Sequence, residues 1–399
     1  MRLAEIATYV NEKISSSNIT LDQYVTTDSL LQDKRGRECA QNLPPVVTNL
    51  THYQPGDVLV ANIRPYLKKI WFADYSGGAS SDVLVFRAKN LSDSSFVYAI
   101  LMQDAFYDYA MKGAKGSKMP RGDKDQIMRY EIPTFSPEQR KNIGKLITDI
   151  ESKIAVNRQI NDNLEAMAKQ LYDYWFVQFD FPNEEGKPYK SSGGKMVWNE
   201  ILKREIPEGW RDGCFSDIAN ITMGQSPDGS SYNEDGEGEI FYQGSTDFGI
   251  RFPSVRMYTT APTRFAKQGD ILMSVRAPVG AVNIANTDCC IGRGLSAINS
   301  KIGSMTYIYF VIHYLKVRFD SLNSAGTTFG SITKDDLYGL PIVIPSTDVI
   351  KMYESISKPI FDKQMNIGQE IENLTKQRDD LLPLLMNGQV SVNYHLSHD

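Results

Sequence analysis

The sequence predicts an α+β protein with two similar globular domains of mixed helix and strand, separated by two long helices that form a coiled coil. Three observations predict this class: an internal repeat, two strand-rich segments, and two long stretches of heptad-spaced apolar residues. The chain has 399 residues, of which 41% are hydrophobic and 23% are charged. Because such a chain can bury sizeable cores, a largely disordered protein is excluded.

The internal repeat is defined by four landmarks that recur in one order. Segment 56–60 (GDVLV) returns as 269–273 (GDILM), and 63–64 (IR) returns as 275–276 (VR). Likewise, 4–7 (AEIA) returns as 216–219 (SDIA), and 132–133 (IP) as 344–345 (IP). All the offsets are 212 or 213 residues, so the sequence predicts a tandem of two halves, each a globular part followed by a helical part.

The two globular parts are predicted to span residues 1–135 and 206–345. Strand-like apolar runs lie at 58–60 and 83–86 in the first part and at 271–275 and 342–344 in the second. Short helices are predicted near 96–109 and 305–319, which favours an α+β domain over a pure β-sandwich.

The first helical part is predicted to span residues 136–178. Ser136 is a typical N-cap, and Pro137 suits the first helical position. Apolar residues and two asparagines then recur every 3.5 residues on average, as in a coiled-coil seam. This seam contains Ile143, Ile147, Ile150, Ile154, Asn157, Asn161, Leu164, Ala168, Leu171 and Trp175. The two asparagines either fix the register of the coiled coil or face a hydrated stretch.

The second helical part is predicted to span 346–388 and to end at an Asn-Gly C-cap. Ile147 aligns with Ile360 at an offset of 213, but Leu164 aligns with Leu374 at 210, so a helix three residues shorter in its middle is predicted. Antiparallel pairing would place the globular parts at opposite ends of a rod, related by a pseudo-twofold axis. Residues 179–205 are interpreted as a linker, and 389–399 as a C-terminal tail. The seam of the second helix contains Tyr353, Ile356, Ile360, Ile367, Ile371, Leu374, Leu381 and Leu385.

The duplicated plan resembles the specificity subunit of type I DNA restriction–modification systems, the HsdS family. The resemblance covers nearly the whole chain. Its most specific parts are 206–210 (IPEGW), the preceding 190–196 (KSSGGKM), and the junctions at 132–140 and 326–345. The second junction continues as Ser-Thr-Asp where the first has Pro-Glu-Gln, so the two junctions are not expected to make identical contacts.

The resemblance implies a non-catalytic subunit whose two target recognition domains each read one half of a split, asymmetric site in double-stranded DNA. The paired helices would set the length of the unread spacer. Two methyltransferase subunits carrying S-adenosylmethionine would bind the helices and methylate adenine N6. A motor–nuclease subunit that uses ATP and Mg²⁺ would cut unmodified DNA. This chain would bind no cofactor itself and would be cytoplasmic.

The residues supply no competing catalytic motif. Residues 42–46 (NLPPV) depart from an amino-methyltransferase loop, and 193–196 (GGKM) lack the other residues of a phosphate-binding loop. The four cysteines have no zinc spacing, and His395 with His398 lacks a third ligand, so no metal site is predicted. No secretory signal and no run of about 18 apolar residues is found, so no membrane span is expected.

The net charge of −5 does not indicate a nucleic-acid-binding protein. Residues 1–135 carry 16 basic and 15 acidic residues, whereas 206–345 carry 11 and 14. The net charge favours a different class, a tandem coiled-coil adaptor that joins proteins without reading DNA. The repeat and the family motifs favour a DNA-recognition subunit, which we expect to bind DNA weakly on its own.

One glycine-rich basic loop, residues 112–124, is interpreted as a DNA-backbone contact or, alternatively, as a solvated loop at the domain–helix junction. The repeat-equivalent Arg64 and Arg276 are interpreted as backbone contacts or structural ion pairs, since base readers should differ between the halves. The DNA-binding candidates are Arg35, Arg64, Lys68, Lys69, Lys115, Ser117, Lys118 and Arg121 in the first domain, and Ser226, Arg251, Arg256, Arg276, Arg293, Thr327 and Thr328 in the second. The half-site sequences themselves are not predictable from these residues.

Overall fold

The computed structural model describes residues 1–324 and 330–392, with side chains described outside 317–324. The chain forms two compact units. Unit 1 consists of residues 1–156 together with the described residues from Glu372 onward, and unit 2 consists of Asn157–Ile371. Each unit therefore combines one globular domain with a segment of each long helix.

The helices and strands confirm the predicted α+β class. The helices are α1 (Leu3–Ile6), α2 (Ser94–Leu101), α3 (Asp104–Lys112), α4 (Lys124–Ile127), α5 (Pro137–Tyr172), α6 (Phe215–Ile218), α7 (Met305–Ser324), α8 (Lys334–Tyr338) and α9 (Thr347–Met386). The strands of unit 1 are β1 (Ala7–Tyr9), β2 (Lys13–Ser15), β3 (Tyr24–Val25), β4 (Asn49–Tyr53), β5 (Val58–Ala61), β6 (Ile70–Phe72), β7 (Gly77–Ala79) and β8 (Val83–Ala88). Unit 2 contains β9 (Met196–Asn199), β10 (Arg204–Pro207), β11 (Arg211–Cys214), β12 (Ala219–Met223), β13 (Tyr232–Asn233), β14 (Glu239–Tyr242), β15 (Tyr258–Thr259), β16 (Phe265–Ala266), β17 (Ile271–Ser274), β18 (Val282–Ile284), β19 (Cys289–Ile291), β20 (Leu295–Ser300) and β21 (Pro341–Ile344).

The internal repeat is visible as a four-stranded antiparallel sheet that occurs once in each unit with the same topology. Its strand order is β1-β8-β5-β6 in unit 1 and β12-β20-β17-β18 in unit 2. The register repeats as well, because Val58 lies opposite Phe86 and Ile271 lies opposite Ile298. These apolar strands are buried on both faces, so side chains from both sides of the sheet contribute to the cores.

The second sheet differs between the two units. In unit 1 its order is β2-β4-β7-β3, and in unit 2 the order β13-β15-β14-β19-β16 includes one more strand. Each of these sheets contains one parallel pair, β3 with β7 and β14 with β19. The two halves therefore share a scaffold sheet and diverge in the sheet and loops attached to it.

The long helices pair antiparallel within each unit. In unit 1, Glu151 of α5 is 2.6 Å from Arg378 of α9, and Asn142 donates to the Val392 carbonyl further along. In unit 2, Gln364 of α9 donates to Glu165 of α5 at 2.8 Å. Residue numbers rise along one helix as they fall along the other, which is the antiparallel arrangement predicted from the repeat.

The predicted three-residue shortening of the second helix is wrong. The repeat relates the Glu151–Arg378 contact to the Glu165–Gln364 contact, because Gln364 follows Glu151 by 213 residues and Arg378 follows Glu165 by 213 residues. These residues lie on both sides of the predicted deletion, so the offset does not change across it. Gln364 and Arg378 occupy buried positions of the heptad pattern with 1% and 2% exposure. A search for apolar residues skips such polar positions, which is why it produced a false change of offset.

The segment interpreted as a linker is packed structure. Strands β9 and β10 form a hairpin within it, and Phe181 stacks on Trp210 with ring centroids 4.9 Å apart. The buried Asp180 carboxylate accepts hydrogen bonds from the Ser191 amide and hydroxyl at 2.7 and 2.6 Å. Glycine and serine in this stretch thus serve tight turns rather than a flexible connection.

Candidate nucleic-acid interface

The repeated Gly-Asp motif builds the same turn at the start of β5 and β17. Gly56 and Gly269 have φ values of +89° and +88°, a conformation that glycine adopts without strain. The following aspartates close the turn, because Asp57 accepts from the Gln54 amide and Asp270 from the Lys267 amide, both at 2.8 Å. The motif is therefore scaffold, and it fixes the strand that leads to Arg64 or Arg276.

Five of the predicted DNA-binding residues lie on one exposed surface of the first domain, which we call the basic cluster: Arg64, Lys115, Ser117, Lys118 and Arg121. The Arg64 amide donates to the Pro120 carbonyl at 2.7 Å, so the turn after β5 contacts the glycine-rich loop directly. Lys115 and Arg121 exchange backbone hydrogen bonds of 2.9 Å and close that loop into a hairpin-like turn.

The cations of the basic cluster are not equally paired. Lys115 lies 3.5 Å from Asp123, and Arg121 lies 3.1 Å from Asp82. The Gln126 amide, with a further contribution from Lys115, lowers the pKa of the Asp123 carboxyl. Among the ion pairs of the described residues, none involves Arg64 or Lys118. Arg64 and Lys118 are therefore the cations of the cluster that are most available to neutralise a phosphate.

The other basic candidates of the first domain are engaged in local structure. Lys68 pairs with Asp104 at 3.0 Å, and Lys69 donates to the Thr27 carbonyl at 2.5 Å. Burial lowers the pKa of the Lys69 amine. Arg35 is exposed and donates from Nε to a backbone carbonyl of its own turn. Of these three candidates, Arg35 is exposed, whereas Lys68 and Lys69 are partly buried.

In the second domain the loop after β12 is held against the turn before β20. Both the backbone amide and Nε of Arg293 donate to the Ser226 hydroxyl at 3.3 Å. Gly224 packs so tightly that a Cβ there would lie 2.2 Å from the Gly292 carbonyl oxygen. This contact needs glycine, and it places the predicted Ser226 and Arg293 together.

Arg256 belongs to a neighbouring polar network. Its guanidinium makes two hydrogen bonds to the buried Asp247 carboxylate, which also accepts from the Gln243 amide at 2.7 Å. Gln243 packs against Gly292 and Gly294 on either side of Arg293. The sequence analysis did not single out Gln243, and no pattern around it marks it as part of this surface.

The predicted equivalence of Arg64 and Arg276 is wrong by one residue. In the first domain Ile63 bridges to Arg121 and the Arg64 amide donates to the Pro120 carbonyl, whereas in the second domain Arg276 bridges to Ser331 and the Ala277 amide donates to the Gly330 carbonyl at 3.2 Å. Arg276 therefore takes the place of Ile63, and Ala277 takes that of Arg64. Gly330 and Ser331 thus take the places that Pro120 and Arg121 have in the basic cluster. The predicted Thr327 and Thr328 lie outside the described residues.

Arg251 is not a surface residue, and its assignment as a DNA contact is corrected. Its guanidinium is 3.1 Å from Glu165 on α5 and donates to the Tyr309 hydroxyl at 3.2 Å. It is only 9% exposed. A cation buried in an ion pair on a helix is not available to a phosphate.

The helix residues predicted as seam or partner contacts divide into three groups. Inward-facing, buried positions are Ile143, Ile147, Ile150, Ile154, Asn157, Asn161, Ile367 and Ile371. Partly buried positions are Leu164, Leu171, Ile360, Leu374 and Leu381. Ile356 is 45% exposed, because Tyr353 and Ser357 occupy the inward positions beside it. A register function for the two buried asparagines stays a prediction.

An apolar groove runs along the outer surface of the helix pair in unit 2. It has a volume of about 810 Å³ and is lined by Met167, Leu171, Tyr174, Ile356 and Ile360. Met167 is 57% exposed, and Ile160 on the same helix is 38% exposed. We call this surface the helix groove.

Two further searches covered only the described part of the chain. None of its helices has the length and apolar character needed to cross a bilayer. No group of three or more histidine, cysteine or acidic side chains there could hold a metal ion. His395 and His398 lie outside the described residues.

Comparison with known proteins identifies relatives of one kind. The family model described as the type I restriction modification DNA specificity domain matches residues 207–381. The MjaX type I restriction enzyme specificity subunit of Methanocaldococcus jannaschii is 35% identical over 282 residues, which cover 68% of this chain and 61% of that protein. The HindI specificity subunit of Haemophilus influenzae is 23% identical and covers 84% of this chain and 86% of its own length.

The fold has a counterpart among solved structures. The S subunit of a type I restriction–modification system from M. genitalium matches with a TM-score of 0.59 at 14% identity, covering 97% of this chain and 95% of that one. At this identity the likeness concerns the fold alone. Taken with the shared scaffold sheets, the antiparallel helices and the sequence relatives, it leads to one assignment: the chain belongs to the family of type I restriction–modification specificity subunits.

Proposed function

We propose that this chain is the non-catalytic DNA-recognition subunit of a type I restriction–modification complex and reads a bipartite, asymmetric site with its two domains. The observation that carries the proposal is the pattern of sameness and difference between the halves. The scaffold sheets have the same strand order and register, whereas the second sheets and their loops differ. Two readers of unlike half-sites need this combination, since a common frame must present different side chains.

DNA would contact the basic cluster of the first domain and the surface around Ser226, Arg256, Arg276 and Arg293 of the second. Exposed cations neutralise phosphates, and glycines allow the backbone to approach them. The second surface offers fewer unpaired cations, because the Arg256 guanidinium is already paired with the Asp247 carboxylate. This difference agrees with the excess of acidic residues in the second half of the chain.

The two long helices would set the unread spacer. At about 1.5 Å per residue, a 36-residue helix such as α5 is about 54 Å long. Ten base pairs of duplex span about 34 Å, so a helix pair of this size suits readers placed about one turn of DNA apart. Changing helix length by whole turns should therefore change the spacer and leave the half-site sequences unchanged.

Methyltransferase subunits, two for each copy of this chain, would dock on the paired helices. The helix groove supports this, because an exposed apolar surface on a helix pair marks a protein interaction site. Those subunits would carry S-adenosylmethionine and methylate adenine N6. A motor–nuclease subunit would use ATP and Mg²⁺ to cut unmodified DNA, and the whole complex would work in the cytoplasm.

The net charge of −5 predicts that the chain binds DNA weakly when it is alone. Phosphate neutralisation supplies most non-specific affinity, and the first domain has a nearly balanced charge. Tight binding would thus need the methyltransferase subunits to complete the DNA-binding surface. Nanomolar binding of duplex DNA by the isolated chain at physiological salt would contradict this.

The decisive experiment is methyl transfer on a randomised duplex library by this chain purified with its methyltransferase partner. We expect methylation at one bipartite sequence that contains adenine in each half. Intact partner binding without sequence-selective methylation would overturn the proposal and favour a protein adaptor. Methyl transfer or cleavage by this chain alone would contradict a non-catalytic subunit.

A further inference from the structure

We propose that two buried cations, Arg251 and Lys34, are positioning residues that fix the angle of each recognition domain on its helices and thereby make the complex intolerant of a wrong spacer length. The inference rests on the proposed function, because spacer length matters only to a bipartite reader. It concerns contacts within each unit, which the sequence analysis did not anticipate.

In unit 2 a single turn of the recognition domain contacts both helices. Arg251 pairs with Glu165 of α5 at 3.1 Å, and Glu165 also accepts from Gln364 of α9 at 2.8 Å. Gly368 of α9 packs so closely against the same turn that a Cβ there would lie 2.9 Å from the Phe252 ring and 3.3 Å from Cγ of Arg251. The turn is therefore held by one polar contact and one close apolar contact, and neither leaves room for it to slide.

The Arg251 side chain is itself held in place by its own domain. Its guanidinium lies 5.6 Å from the centre of the Tyr309 ring and donates to the Tyr309 hydroxyl at 3.2 Å. Because Tyr309 belongs to α7, the link runs from the core of the domain through Arg251 to Glu165 on α5. A rotation of the domain relative to the helices would break at least one of these hydrogen bonds.

Unit 1 reaches the same result with different residues. Lys34, which is 6% exposed, lies 3.3 Å from Asp379 of α9 and 2.7 Å from Asp104 of its own domain. Asp379 accepts two hydrogen bonds from Arg378, which in turn pairs with Glu151 of α5 at 2.6 Å. A chain of charges again connects a domain loop to both helices.

The backbone around Lys34 is shaped for this contact. Asp33 and Lys34 have φ values of +57° and +60°, a left-handed conformation that aspartate adopts more readily than most residues and that is unfavourable for lysine. The Lys34 amide donates to the Lys68 carbonyl at 2.9 Å, which holds the turn. The strain falls mainly on Lys34, and a strained residue that places one cation on a helix is expected where position matters more than stability.

Buried ion pairs add little net stability compared with well-packed apolar residues, because removing charges from water is costly. Their directional hydrogen bonds instead favour one arrangement over its neighbours. The Arg251 and Lys34 contacts arose from different residues in the two units, which indicates that the orientation of each domain on its helices matters for function. If the helices set the spacer, the angle of each recognition domain on the helices determines which spacer length brings both domains to their half-sites.

The test compares methylation rates on duplexes with fixed half-sites and spacers that are native or one base pair longer or shorter. It uses the assembled complex of this chain with its methyltransferase partner. For Arg251→Met and for Lys34→Met, we expect the preference for the native spacer to fall by about tenfold, which corresponds to about 1.4 kcal/mol. Half-site sequence preference should not change.

The matched control is Arg204→Met. Arg204 also belongs to unit 2 and also lies over an aromatic ring, 4.7 Å from the centre of Phe179, but no hydrogen bond or ion pair among the described residues joins its guanidinium to α5 or α9. Spacer preference should stay at the parent value in this variant. A purely structural role for Arg251 would lower the rates on all spacers alike and would overturn the proposal.

A second measurement needs neither DNA nor partner. Spin labels at Gln268→Cys on the domain and Lys363→Cys on α9 report the distance between domain and helix. The background carries serine in place of the exposed Cys39 and the partly buried Cys214, so that only the introduced thiols are labelled. Arg251→Met should broaden the distance distribution, and Arg204→Met should not. An unchanged distribution in Arg251→Met contradicts the positioning role even where methylation is absent, and a variant that unfolds shows that Arg251 serves stability instead.

Discussion

The Asp57 carboxylate accepts two hydrogen bonds from the Arg87 guanidinium, both 2.8 Å long, beneath the turn that starts the central scaffold strand of the first domain. At the equivalent place in the second domain, Asp270 accepts a single bond of 3.2 Å from Asn299. The hydrogen bonds that Arg87 donates to Asp57 hold the pKa of Arg87 above its ordinary value, although burial opposes them. One repeat motif is thus supported by a charged pair and the other by a neutral partner.

Replacing these aspartates should therefore have unequal costs. Asp57→Ala leaves a half-buried arginine without its main partner and should lower the free energy of unfolding by about 3 kcal/mol. Asp270→Ala loses a bond to a neutral amide and should cost about 1–2 kcal/mol. Hydrogen exchange of the β5 and β17 amides measures each domain separately.

The isosteric variants are the controls for this comparison. Asp57→Asn and Asp270→Asn keep a side-chain oxygen for the turn amide, so each should cost less than its alanine counterpart. Equal losses for Asp57→Ala and Asp270→Ala would show that the turn hydrogen bond, and not the arginine pair, dominates at both sites.

The repeat and the heptad pattern were sufficient to predict the scaffold. Gly56 and Asp57 recur because the turn needs a positive φ and a capping carboxylate, and both requirements are local. Long-range polar contacts have no such signature. Nothing in the sequence separates Arg251, buried against Glu165, from exposed Arg293, since both are single arginines in loops.

The helix register was missed for a related reason. Heptad patterns are found by their apolar residues, and Arg378 and Gln364 occupy seam positions without being apolar. Their burial is possible because each has a partner on the opposite helix, a fact that appears only when both helices are placed. The segment 179–205 was interpreted as a linker from its composition, because the stacking of Phe181 on Trp210 is a contact that only the folded chain reveals.

The Glu151–Arg378 pair should behave as a coupled unit. Arg378 is 2% exposed, and burial, which lowers the pKa of its guanidinium, is outweighed by Glu151 and Asp379, which raise it. Arg378→Ala should destabilise unit 1 by about 3–5 kcal/mol, because it leaves a cavity and an unpaired Glu151. Urea unfolding followed by hydrogen exchange of the α9 amides reports this loss.

A double replacement tests the coupling. Glu151→Leu with Arg378→Met removes both charges and keeps apolar volume, so it should recover a large part of the stability lost in Arg378→Ala. The single variants for comparison are Glu151→Leu and Arg378→Met. If the loss of stability in the double variant equals the sum of the losses in these two, the two charges do not interact.

Lys118 should contribute to DNA affinity through salt-dependent phosphate contact. It is exposed, and no ion pair among the described residues engages it, whereas Lys115 already lies 3.5 Å from Asp123. In the assembled complex, Lys118→Gln should reduce the slope of log affinity against log salt by about 1, with a smaller change for Lys115→Gln. Lys13→Gln, on β2 of the same domain, is the control and should leave the slope unchanged. An unchanged slope for Lys118→Gln would remove the basic cluster from the DNA interface.

His313 should make the stability of unit 2 dependent on pH. Burial lowers the pKa of its imidazole, and a hydrogen bond between Nδ1 and the Tyr309 carbonyl at 2.9 Å only partly opposes this. Because the folded pKa lies below the unfolded value near 6.5, the folded state binds the proton less tightly than the unfolded chain does. The stabilising contribution is therefore complete above pH 6.5 and is lost as the pH falls toward the folded pKa, with a slope of at most about 1.4 kcal/mol per pH unit. His313→Asn keeps a donor for the carbonyl but does not titrate. The unfolding free energy of this variant should therefore fall less steeply than that of the parent between pH 7 and pH 5.5 (from about half a unit above the reference value to about one unit below it). Parallel profiles for parent and variant would show that His313 is protonated as easily in the folded domain as in the unfolded chain.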